Sequence, residues 1–325
     1  MPVEQWRPLS WRLGGDAAPS SWRDPVPAAL EEPLRDWVDW TLRDTGIGAS
    51  AASGIAERVL LRLNLVPSDG DGDEGDDVEP KATARRYLAY GVPTQLLPDV
   101  VDAVLSLLPT GPRFPVASTS AGKIGAMTAI AAVTAHAPVA WAHGRRDALV
   151  RLLDDALSVL RLRPDSRGLE RRSEQGAEAA FKDATSAAEG TTAAGSAAAH
   201  LRTSWAAVHA LHPDPPKGYG EAIKAVEAAA HSILEPGNRK ATLGTMIRYL
   251  REHPDRFSLA IAGRDGRGDV APLIGCMALL WDGQSSRHGS SAPTRPESLE
   301  AATMAVQLSV TLVQWFVSGA VHRLV

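Results

Sequence analysis

EAIKAVEAAAHSIL, residues 221–234, is the stretch whose reading decides the fold. Ile223, Val226, Ala230 and Ile233 recur at steps of three and four, the period of one helix face rather than of a strand. Alanine, the best helix former, fills much of the remainder. Pro236, Gly237 and Asn238 then punctuate the chain as a turn.

The same period continues outward on both sides. Leu243, Met246, Ile247 and Leu250 predict a helix over 242–252 that stops before Pro254. Further helices are predicted over 271–281 and 297–321. The second has Pro296 just ahead of it and Glu297 and Glu300 in its first turn, where acids suit the positive end of the helix. Upstream, a helix over 201–211 is expected, with the Pro213–Gly220 stretch as a break.

The N-terminal part reads as helical too. Leu34, Trp37, Val38 and Leu42 mark a helix over 30–43 that tolerates Pro33 in its first turn. Ile55, Val59, Leu60 and Leu63 mark another over 53–65, and 81–108 is a helical stretch split near Gly91 and Pro93. Helix is expected to about Ala135, and an amphipathic helix over 145–162 carries Leu149, Leu152, Leu153, Leu157 and Leu160. Residues 164–198 hold few large apolar side chains and are expected to be an exposed helical connector. The predicted class is all-α. Its parts are an N-terminal helical segment (1–66), an acidic linker (67–80), a central helical region (81–198) and a C-terminal helical bundle (199–325).

Composition narrows function by exclusion. The 325 residues are 44% hydrophobic, ample for packed cores. The net charge of −4 divides as −6 over 1–200 and +2 over 201–325, so neither part is a basic duplex-binding surface. Cys276 is the one cysteine, set in an apolar run and expected in the core. The stretch 124–142, mostly Ala with His136 and Pro138, is too weakly apolar to span a membrane, and 301–321, interrupted by Gln307, Ser309 and Gln314, is expected to be a buried core helix. With no apolar leader at the start, the cytoplasm is the expected compartment.

Several motifs are near misses. The acidic run 69–77 lacks glycine at the sixth position of a calcium loop. Residues 118–124 lack the first glycine and the final Ser or Thr of a phosphate loop. The glycines of 263–269 do not have dinucleotide-loop spacing and come after no strand signal. His209, His212, His231 and His253 form no zinc-type helical pair. Ser285 and Ser286 near His288 lack the strand–turn elbow and orienting acid of a serine hydrolase. No metal and no cofactor are expected.

Three strings remain: YGEAIKAVEA at 219–228, PGNRKATLG at 236–244 and SRHG at 286–289. Together they resemble the C-terminal domain of bacterial abortive-infection proteins, part of the HEPN group of helical bundles. VPAALEEPLRDW at 26–37 is similar to the N-terminal region of some of them. The resemblance implies antiviral defence and, in active members, a metal-independent ribonuclease assembled in a homodimer. It also implies an Arg separated from a His by four to six residues near a late helix. In this chain Arg287 and His288 are adjacent; Arg202–His209 and Arg248–His253 have the spacing but lie elsewhere.

On that resemblance His288 is the acid/base, Arg287 the phosphate clamp and Glu227 the acid facing the site, with Ser286 and Gly289 in the binding turn. The chemistry suits the residue types. An imidazole near neutral pKa exchanges protons, an Arg stabilises developing phosphate charge, and the ribose 2′-hydroxyl is the nucleophile. The alternative is a non-catalytic bundle for nucleotide binding, dimerisation or partner recognition. The expected partners are RNA or a nucleotide and a second copy of the chain.

Overall fold

The structure is a computed structural model; it describes residues 24–43, 54–67, 80–111, 126–263, 266, 268–284 and 296–324. It is mostly helical, with a few short strands. The chain divides into two compact units at Arg172/Ser173.

The N-terminal unit contains α1 (Ala28–Leu42), α2 (Ile55–Leu63), α3 (Pro80–Arg86), α4 (Leu97–Leu107) and α5 (Ala126–Asp155). An antiparallel strand pair comes next, β1 (Leu160–Leu162) with β2 (Leu169–Arg171), joining Leu160 to Arg171 and Leu162 to Leu169. The stripe predicted for α1 is buried: Leu34, Trp37, Val38 and Leu42 face the core, and the Trp37 indole donates to the Arg145 carbonyl at 2.8 Å. Arg35 ties α1 to the π-helical turn Tyr87–Gly91 and to Val92 just beyond it, donating to the carbonyls of Ala89 and Val92. The predicted break near Gly91 and Pro93 thus exists, as a π turn and a 3₁₀ turn (Thr94–Leu96) between α3 and α4.

Two expectations for this unit change. The helix placed at 145–162 is the end of the longer α5, which runs through Pro138 and stops at Asp155. Proline costs one backbone hydrogen bond, and the many bonded turns on either side carry the helix across it. Leu160 lies in β1; Arg161 of that strand pairs with Glu170, and Arg172, just past β2, with Asp154.

The C-terminal unit is a helical bundle of α6 (Gln175–Glu189), α7 (Ala197–His209), α8 (Pro215–Leu234), α9 (Leu243–Glu252), α10 (Ala271–Asp282) and α11 (Leu299–Val317). Strands β3 (Phe257–Leu259) and β4 (Val321–Arg323) pair antiparallel, with Phe257 opposite Arg323 and Leu259 opposite Val321. The stretch 221–234 is the centre of this bundle. Ile223, Val226 and Ala230 are buried as predicted, and Ala222, Ala225 and Ala229 are buried too. The small alanines let α7 and α11 approach on different sides, so α8 buries most of its circumference.

Corrections arise here as well. Residues 175–189, expected in an exposed connector, form α6, which buries Ala184 and Ala188 and stacks Phe181 on Trp205 of α7 with centroids 4.4 Å apart. Alanine needs little room, so a helix poor in large side chains still packs closely. Pro215 and Pro216 do not break the chain but begin α8. Proline suits the first helical turn, and the Asp214 side chain caps it by accepting from the Lys217 N–H at 3.1 Å. The short strands left no periodic signal. Among the described residues no helix is long and apolar enough to cross a membrane.

Candidate functional site

Of the residues singled out by sequence, Ser286, Arg287, His288 and Gly289 lie outside the described residues. The described chain shows where that segment departs and returns. Gly283 ends α10 against the Tyr219 ring on α8, so closely that a side chain there would collide with the phenol oxygen. The Gln284 amide lies 3.5 Å from where a Cβ on Gly220 would stand. On the return, Glu297 is buried close enough to Tyr219 for its charge to act on the phenol. Burial, and after it the Glu297 charge, push the Tyr219 pKa up, so this hydroxyl keeps its proton.

Glu227 lies against the start of α9. Its Oε1 accepts from the backbone N–H of Leu243, the first residue of α9, at 2.7 Å. Beside it Thr242 and Thr245 form a reciprocal capping box, and Thr245 donates to Glu235 at 2.7 Å. Glu227 therefore holds the N-terminus of α9, where unbonded N–H groups and the helix dipole favour a carboxylate. Glu227→Ala is expected to lower stability by about 1 kcal/mol, read as the chemical-denaturation midpoint. Glu227→Gln, which retains an acceptor oxygen, should recover most of the loss; equal loss by both variants would refute the capping role.

Glu221 meets a histidine. Its Oε2 accepts from the His200 Nδ1 of α7 at 2.6 Å, and its Oε1 accepts from Lys224 at 2.8 Å. Burial raises the Glu221 pKa, but hydrogen bonds from Lys224 and His200 and their charges outweigh it and hold the carboxyl below its ordinary value. The carboxylate is ionised throughout the neutral range. With Nδ1–H fixed on Glu221, the lone pair of a neutral His200 ring sits on Nε2, the arrangement that makes an imidazole a directed base. Glu221 also comes directly after Gly220, the residue against which Gln284 rests. Sequence reading missed this pair because its members are 21 residues apart on two helices and meet only when α7 packs on α8.

The chain matches no protein-family model, no curated protein and no solved structure.

The members of the two spaced Arg–His pairs differ in their surroundings. Arg202 is exposed and pairs with Glu189, whereas His209 is buried, donates from Nδ1 to the Trp205 carbonyl at 2.9 Å and stacks on that ring at 4.2 Å. His253 packs on the Tyr249 ring at 4.7 Å, while Arg248 is exposed. An open cleft of about 490 Å³ beside α7 is lined by Arg202, Thr203, Ala206, Ala210, His212 and Lys217, among others.

Proposed function

We propose that the C-terminal unit is a HEPN-like domain that cleaves RNA without a metal, and that the whole protein serves antiviral defence of the abortive-infection type in the cytoplasm. The observation that carries this reading is the His200–Glu221 pair, whose Glu221 follows in sequence the glycine beside the Gln284 amide. Glu221 supplies the carboxylate that orients the His200 imidazole.

In the proposed reaction one imidazole, His200, takes the proton of the ribose 2′-hydroxyl. The resulting oxygen attacks the neighbouring phosphorus. The bond to the 5′-oxygen breaks, and that oxygen takes a proton from His288. The products are a 2′,3′-cyclic phosphate and a 5′-hydroxyl, and Arg287 offsets charge on the phosphate as it builds. The test is incubation of the purified chain with total RNA and tRNA in EDTA, beside His288→Ala and His200→Ala. Absence of cleavage, or equal cleavage by His288→Ala, sinks the nuclease reading.

One observation favours the second reading, a non-catalytic module that dimerises. The outer face of α10 presents Pro272, Gly275 and Leu279 to solvent, with Leu279 56% exposed, and Asp282 at its end is the helix's one charged residue. Uncharged outer faces are unusual on solvated helices. If a second copy covers this face, Leu279→Glu converts a dimer to monomer in light scattering. A wild-type monomer at high concentration, or a variant dimer, counts against it.

A further inference from the structure

In the same unit, α9 and the β3–β4 pair bring two arginines to one oxygen. Arg323 Nη2 donates to the Tyr249 phenol at 3.0 Å and Arg256 Nη1 donates to it at 3.3 Å. Both residues are exposed, and among the described residues neither guanidinium has a carboxylate partner. The nearby acids, Glu252 and Asp255, are exposed and take no part.

The arginines are held rather than trailing in solvent. Arg323 stands opposite Phe257 in the strand register, with its guanidinium 5.8 Å over the Phe257 ring. Arg256 is fastened through its carbonyl, which accepts from the Leu324 N–H at 2.8 Å. Tyr249 is set edge-on against Phe257 with centroids 6.0 Å apart. Like charges brought together cost free energy unless an anion joins them. The guanidinium fork matches the paired oxygens of a phosphate in geometry.

We propose that Arg256, Arg323 and Tyr249 form a phosphate-binding subsite for the backbone of single-stranded RNA, separate from the residues proposed to cut it. The assignment of RNA as the source of the phosphate rests on the ribonuclease reading. The ring of Tyr249, partly exposed beside that of His253, offers a surface on which a base stacks while its phosphate meets the arginines.

The experiment measures fluorescence anisotropy of a short labelled single-stranded RNA made with 2′-O-methyl ribose. Such RNA lacks the nucleophilic hydroxyl and is not cut. The full chain is compared with R256Q/R323Q over a range of salt, with inorganic phosphate as competitor in a parallel arm. The double variant should bind about tenfold more weakly. Its log–log salt slope should be shallower by about 1.4, the value for two lost phosphate contacts on a single strand. R256K/R323K, which retains the charge and guards against misfolding, should keep the slope and lose part of the affinity. Equal binding by R256Q/R323Q, or no RNA binding by the wild-type chain, overturns the proposal. Thermal stabilisation of the wild-type chain, but not of R256Q/R323Q, by inorganic phosphate without RNA binding also overturns the RNA assignment and identifies a free anion as the ligand. RNA that binds through this pair yet is never cut in its unmodified form sinks the nuclease reading and leaves the subsite standing.

Discussion

Arg146→Ala is expected to destabilise the N-terminal unit by about 3 kcal/mol or more. Arg146 lies on α5 and is 2% exposed. Its Nε donates to the Ser166 carbonyl at 2.8 Å, its Nη1 to Pro109 at 2.9 Å and its Nη2 to Leu108 at 3.2 Å. One guanidinium thus closes the end of α4 and the turn between β1 and β2. Burial, and after it the Arg167 charge, pull its pKa below the ordinary arginine value, yet three carbonyl dipoles aimed at it favour the cation. Truncation removes the donors and leaves those carbonyls without them, which costs more than one ordinary hydrogen bond. Arg146→Lys should recover only part of the loss, because an ammonium does not have the planar fork that reaches three carbonyls in different directions. Urea unfolding followed through tryptophan fluorescence measures both; Trp37 and Trp40 on α1 and Trp141 on α5 report on this unit. A shift below about 0.5 kcal/mol for the alanine variant, the size of an ordinary surface change, would show that water replaces the guanidinium and that the closure role is wrong.

The second large effect concerns RNA cleavage. A positioned general acid or base contributes roughly 10²–10⁴-fold, so His288→Ala and His200→Ala should each lower the initial rate by at least about 100-fold. Glu221→Gln should cost less than loss of the imidazole, because an amide oxygen still accepts from Nδ1 but carries no charge to stabilise the imidazolium. The assay monitors a labelled RNA in EDTA and identifies the end group, which must be a 2′,3′-cyclic phosphate. Retention of the wild-type rate by His200→Ala, with loss in His288→Ala, would return the His200–Glu221 pair to the status of a surface ion pair. Such pairs are worth about 0–1 kcal/mol and nothing in catalysis.

The helical class was legible because helix periodicity is a local property. The stripes of α1, α8 and α9 could be read directly, since burying one face of each requires apolar residues every three or four positions. Errors came where local signals mislead. Pro215 and Pro216 read as a breaker, yet proline is acceptable before the first helical N–H needs a partner. The alanine-rich 175–189 read as solvated, yet small residues bury well when a neighbour such as Trp205 supplies the bulk. The strands β1 to β4 have three residues each, too short to show alternation.

The candidate site shows the same division more sharply. Glu227 was singled out through the family resemblance, but the contact it makes depends on what α9 brings to it, the Leu243 N–H. Glu221 and His200 carry no motif between them, and neither do Arg256 and Arg323; the β3–β4 pairing brings Arg323 to Tyr249 from 74 residues along the chain. By itself the sequence determined that this chain is helical, where most helices run and which faces they bury, because those depend on spacing along one segment. Only the tertiary structure decided which charged groups meet, because a hydrogen bond of about 3 Å between residues distant in the chain depends on how helices pack and not on any pattern within one of them.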